Sequence, residues 1–127
     1  MTVEASPIFV KTYELLRWLL PHTVGLPRAQ RFLLAKRIEY AALTYHEWIM
    51  RAGRGGGSAL DLKEADIELA KLRVYLRLAM EMRLLSFGQY EHAARMVDEI
   101  GRLLGGWTKQ RGGRTPRRSG AGDLLPA

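Results

Sequence analysis

Apolar residues recur along this chain at spacings of three and four, the repeat that lines one side of an α-helix, in four separate stretches. The first runs from Ser6 to Leu20 with Phe9, Tyr13, Leu16 and Leu20 as its stripe. Ser6 and Pro7 suit an N-cap and first turn, because proline has no N–H to leave unpaired there, and Pro21 predicts the end. A second helix is predicted from Pro27 to Ala52, on Ala35, Ile38, Ala42, Tyr45 and Ile49, widened by Leu34, Ala41 and Trp48. The glycine-rich run at 53–57 then predicts a flexible loop. The third helix, Ser58 to Leu85, carries Leu62, Ala65, Leu69, Leu72, Leu76 and Ala79, with Ser58 as cap and Asp61 at the positive end of the dipole. The fourth, Phe87 to Lys109, follows a capping box at Ser86-Phe87-Gly88-Gln89 and carries Ala93, Met96, Ile100, Leu103 and Trp107. No stretch alternates as a strand does. Four amphipathic helices with short links predict an all-α fold, an antiparallel up-and-down four-helix bundle.

The third helix holds more apolar surface than one bundle requires. Ile67, Val74, Leu78 and Leu85 lie away from its core stripe, since two residues along a helix is about 200° around it. Scattered surface aliphatics would explain them. An oligomer interface would explain them better, the helix being shared between its own core and a neighbour.

From Arg111 the composition changes to RGGRTPRRSGAGDLLPA, with four Arg against one Asp and little to bury. The chain therefore divides into a bundle at 1–110 and a basic Arg/Gly-rich flexible tail at 111–127. The whole carries 20 Lys+Arg against 13 Asp+Glu, a formal charge of +7, and the cations are mostly arginine. Arginine forks onto phosphate where lysine is a point charge, so the balance points to a polyanionic partner.

Enzymatic chemistry finds little purchase. Without cysteine there is no thiolate nucleophile or cysteine metal site, and His22, His46 and His92 show no metal-ligand spacing. No phosphate-binding glycine motif or nucleophile elbow is present. Glu64 and Glu68 sit one turn apart among Lys63, Lys71 and Arg73, and read as a solvated charged face. No apolar run reaches the length of a membrane span, and the N-terminus lacks a secretory h-region. The expectation is a non-catalytic, cytoplasmic protein with no cofactor and no metal.

Three groups of cations are candidate contacts. Arg73 and Arg77, one turn apart with Lys71 close by, could straddle successive phosphates, or could merely solubilise, with Arg77 bonded to Glu81. Arg28 and Arg31 open the second helix against its dipole, where free N–H groups and arginine make an anion site; a tolerated exposed mismatch is the alternative. Arg111, Arg114, Arg117 and Arg118 resemble a basic arm along a nucleic-acid backbone, or a solubilising tail. Tyr40, Tyr45, Trp48, Tyr75 and Trp107 read as core or interface aromatics rather than base-stacking platforms.

Two motifs carry a family resemblance. Leu69-Ala70-Lys71-Leu72-Arg73-Val74-Tyr75-Leu76-Arg77, then Ile100-Gly101-Arg102-Leu103-Leu104-Gly105-Gly106-Trp107, resemble the accessory variability determinant (Avd) proteins of diversity-generating retroelements. The entry Tyr13-Glu14-Leu15-Leu16-Arg17-Trp18-Leu19 and the later Leu26-Pro27-Arg28 agree, so the likeness spans about residues 8–110. It implies a four-helix bundle assembled as a barrel-like homopentamer, without enzymatic activity of its own. It also implies binding to the retroelement's reverse transcriptase and to structured template RNA, or an RNA/DNA hybrid, in support of mutagenic cDNA synthesis. Arg73 and Arg77 match the paired arginines at the partner face; Gly101, Gly105 and Trp107 match positions where helices approach closely. The glycine-rich loop and the long tail depart from the pattern and inherit nothing. The alternative is a structural, protein-interaction four-helix oligomer with no reverse-transcriptase partner.

Overall fold

The computed structural model describes residues 6–55 and 59–114. Helix α1 spans Pro7–Val24, α2 Arg28–Gln30, α3 Lys36–Arg54, α4 Ala59–Glu81 and α5 Phe87–Arg114. A π-helical segment, Arg31–Ala35, joins α2 to α3, so residues 28–54 form one helical rod. The described residues thus make four helices and contain no strand. α4 packs on α3 and α5, and α1 lies against α5 and α3.

The α4 stripe predicts its burial well. Leu62, Ala65, Leu69, Leu72, Leu76 and Ala79 are all inaccessible, facing Ile38, Ala42, Tyr45 and Ile49 of α3 in one apolar cluster. Two polar links join α1 to α3: Thr12 Oγ1 and Tyr45 Oη are 3.2 Å apart, and Thr23 Oγ1 donates to Glu39 Oε2 at 2.8 Å. Burial pushes the Tyr45 phenol well above its usual range, opposed by the Thr12 bond, so it remains neutral.

The outer helices differ from expectation. α1 buries Ile8, Phe9, Thr12, Leu15, Leu16 and Leu19, whereas Tyr13 is 65% exposed. Pro21 does not end it. The helix runs on to Val24, with the His22 Nδ1–H donating to the Trp18 carbonyl at 2.7 Å and Gly25 N donating to Pro21 O at 3.2 Å. Ser6 caps through its carbonyl, which accepts from Phe9 and Val10, rather than through its hydroxyl. α5 buries Ala93, Val97, Ile100 and Leu104, while Met96, Leu103 and Trp107 are only partly covered.

Boundaries shift too. Gly53 and Arg54 are still helical, and Gly55 forms the C-cap of α3; the Ser58 cap lies outside the described residues. α4 stops at Glu81, four residues early, although no glycine marks the place. Arg83 takes the left-handed conformation (φ 63°), and the N–H groups of Leu84 and Leu85 return to the Ala79 carbonyl at 2.8 and 3.3 Å. Leu85 is consequently off the helix and buried in the core at 5% exposure. It is therefore no part of an outer interface: helical periodicity cannot be projected past a helix end. The capping box forms as expected, Ser86 N donating to Gln89 Oε1 at 2.9 Å and Gln89 N to Ser86 Oγ at 3.0 Å. α5 then continues to Arg114, past the expected bundle boundary at 110.

Candidate functional site

Two residues along a helix reverses the direction of a side chain, and α4 obeys this among its cations. Arg73 and Arg77 share one side; Lys71 points away from both, its Nζ donating to Glu68 Oε2 at 3.2 Å. The structure therefore brings together the two arginines but not the lysine. All three are exposed, and all three meet a carboxylate. Arg77 Nε donates to Glu81 Oε2 at 3.2 Å within α4, and Arg73 Nε stands 3.7 Å from Asp98 Oδ1 of α5. Exposed pairs of this kind contribute about 0–1 kcal/mol, so a phosphate or partner carboxylate can replace either acid cheaply.

Arg73 is the better positioned of the two. Its guanidinium lies so close over Gly101 that a Cβ there would collide with Nη2, and Leu69 closes the same spot from α4. The space over Gly101 is taken by an arginine side chain rather than by a neighbouring helix backbone, so a methyl there would displace the guanidinium. The guanidinium also lines a cleft of about 120 Å³ between α4 and α5, with Leu76, Tyr90, Ala94, Val97 and Asp98. Gly105 differs: among the described residues nothing outside its own stretch of helix would lie within 4 Å of a Cβ there, so close packing among them does not explain it. Trp107 does pack, its ring centroid 6.1 Å from that of Phe9.

The other candidate cations are dispersed. Arg28 is exposed on the three-residue α2, which widens at once into the π segment, so no regular helix N-terminus stands behind it. The side chains of Arg31 and Arg114, and the whole of Arg117 and Arg118, lie outside the described residues. Arg111 is half-buried on the last turns of α5 rather than part of an arm that begins there.

Glu68 is misread by sequence pattern. It is 7% exposed on the edge of the core stripe, with Oε1 lacking a hydrogen-bond partner, whereas Glu64 is half-buried. A carboxylate one residue from Leu69 belongs to the core edge by its angle, and its charge hides that in the sequence. Of the aromatics expected in a core or an interface, Tyr45 is fully buried and Trp48, Tyr75 and Trp107 are partly covered, whereas Tyr40 is 69% exposed and lies outside the core.

A larger cleft, about 330 Å³, runs between α1 and α5 and is lined by Lys11, Glu14, Trp18, His92, Met96 and Glu99. Trp18 stacks on His22 with centroids 4.0 Å apart and meets His92 at 4.9 Å. Lys11 Nζ sits 3.6 Å from both Glu14 and Glu99, so one ammonium is shared by two carboxylates and the cleft has an acidic excess. Among the described residues no group of three or more His, Asp or Glu side chains is gathered as a metal-ligand set, and no helix is long and apolar enough to cross a membrane.

Against this geometry the comparison with known families is specific. The profile of the family described as bAvd-like matches residues 8–111, most of the chain and all of the bundle's packed length. The chain belongs to the bAvd-like family. Both motif segments, with Arg73, Arg77 and Gly101, fall inside the match. No curated protein matches the sequence. The family is one of accessory proteins, not known as catalysts.

Proposed function

We propose that this chain is the non-catalytic accessory subunit of a diversity-generating retroelement, binding its reverse transcriptase and structured template RNA during mutagenic cDNA synthesis. It acts in the cytoplasm without a cofactor of its own. Family membership over residues 8–111 is the observation that carries this reading. The exposed Arg73–Arg77 pair supports it locally, because the Arg73 guanidinium lies over Gly101 beside Asp98 while remaining accessible to a partner.

Ile67, Val74 and Leu78 form the self-association surface in this reading. They are 41%, 61% and 42% exposed on the side of α4 opposite its core stripe, and Leu60 at 59% extends the row. The resemblance supplies a pentamer. Each copy adds a formal charge of +7, and an RNA would meet their summed field. Basic residues 111, 114, 117 and 118 extend that field along the RNA backbone.

The test is a search for a reverse-transcriptase reading frame beside this gene and co-purification of the chain with its product. Arg73→Glu/Arg77→Glu should abolish the complex while circular dichroism keeps its helical signal. An unimpaired double variant would remove these residues from the partner face. A wild-type chain that assembles with itself but captures no polymerase would leave the structural-oligomer reading instead.

A further inference from the structure

Lys71, Arg73 and Arg77 of α4 each meet a carboxylate, whereas Lys36, Arg37 and Arg51 of α3 meet none among the described residues. Arg37, Tyr40, Thr44, Glu47 and Arg51 follow one another at three and four, so they share one side of α3 over about 21 Å. Lys36 borders that side. Lys36, Arg37 and Arg51 are exposed, and among the described residues none of them is in an ion pair. Glu47 is the acid on this face; Glu39 is turned towards α1, where it accepts from Thr23. The Arg51 guanidinium lies over Trp48, 4.8 Å from the ring centroid, which holds its plane while its N–H edge stays available. Between these two basic ends stands Tyr40, with more than two thirds of its surface in water.

We infer that the outer face of α3 binds a single-stranded stretch of nucleic acid, with phosphates on Lys36, Arg37 and Arg51 and a base stacked on Tyr40. Unpaired cations spaced along a line suit a polyanion whose charges repeat. An exposed aromatic between them selects a single strand, because in a duplex the base faces are hidden in the stack. A solvated charged face would need the cations but not the tyrosine. The inference rests on the nucleic-acid part of the proposed function, but on a different helix from Arg73 and Arg77.

The experiment uses the full chain and three fluorescent probes: oligouridylate, oligothymidylate and a duplex of equal length, each titrated across a salt series. Lys36→Gln/Arg37→Gln/Arg51→Gln should lower the slope of log affinity against log salt by about 2, since each single-strand phosphate contact contributes about 0.7. A charge-matched control, Arg17→Gln/Lys63→Gln/Arg83→Gln, should leave the slope near wild type. Tyr40→Ala should weaken single-strand binding about tenfold while Tyr40→Phe retains it, and the duplex should be indifferent to both. Circular dichroism verifies that each variant is folded. If the wild type binds single strands but the α3 triple variant keeps its slope, this surface is overturned and the proposed function stands. If the triple variant loses only polymerase capture, the face belongs to a protein and the inference is again overturned. If the wild type binds no probe and no template RNA, the nucleic-acid part of the proposed function fails with it.

Discussion

Both sides of α4 carry apolar residues in sequence, and their fates are opposite. Leu62, Leu69, Leu72 and Leu76 are sealed against α3 and α5, whereas Ile67, Val74 and Leu78 stand in water within the protomer. A helical period shows which residues share a side; it does not show whether what covers that side is the same chain. The inner side is completed by its own bundle, so its value is stability. Among the described residues nothing seals the outer side, and in the proposed reading its value lies in assembly.

Substitutions can break this contrast, and the largest effect is expected inside. Leu72→Ala should cost about 2–5 kcal/mol in denaturant unfolding, because it removes a fully enclosed side chain. A cost below that range would mean the packed face of α4 is looser than the geometry states. Val74→Asp should leave protomer melting within about 0.5 kcal/mol of wild type, yet shift sedimentation towards smaller species. Unchanged sedimentation would make the outer stripe a passive surface.

The glycines of α5 repeat the contrast on a smaller scale. Gly105→Ala should stabilise by about 1 kcal/mol, the usual helix-propensity gain where a methyl meets open space. Gly101→Ala should show no such gain, since the new methyl displaces the Arg73 guanidinium; in an Arg73→Ala background the gain should return. Equal behaviour of Gly101→Ala in both backgrounds would detach the glycine from the arginine. Destabilised assembly in Gly105→Ala, with a stabilised protomer, would place Gly105 under a neighbouring copy.

The smallest effect concerns His46. Burial lowers the affinity of its imidazole for a proton, with Glu47 opposing, so its folded pKa lies below the unfolded value of about 6.5. Its contribution is therefore complete above about pH 6.5 and is lost as pH falls from there through the folded value. Thermal melts from neutral to mildly acid pH should decline less in His46→Gln than in wild type. Parallel curves would show that His46 is not differentially protonated.

Legibility followed how local each cause is. The α3 and α4 core stripes and the Ser86–Gln89 capping box were readable, because period and cap chemistry act over a few neighbouring residues. α1 and α5 were read with their stripes rotated: Tyr13 faces water where Leu15 is buried, and Val97 takes the place assigned to Met96. A helix with apolar residues on several sides offers more than one plausible stripe, and only its neighbours choose among them. The pairing of Arg77 with Glu81 was visible at i,i+4; that of Arg73 with Asp98 was not, since it crosses from one helix to another.

The sequence by itself determined that the chain is helical, where its two central helices bury their apolar sides, that it carries an arginine-rich excess of positive charge, and which family its motifs resemble. These depend on local periodicity, capping and composition, which need no knowledge of distant contacts. Tertiary structure decided the rest. Leu85 joined the core because the chain reversed at Arg83, Gly101 came to lie under the Arg73 guanidinium, and Arg73 met Asp98 across two helices while Lys36, Arg37 and Arg51 met no carboxylate among the described residues. Each of these depends on what another helix, or a turn without a local signal, places beside the residue, and side-chain spacing along one helix does not carry that information.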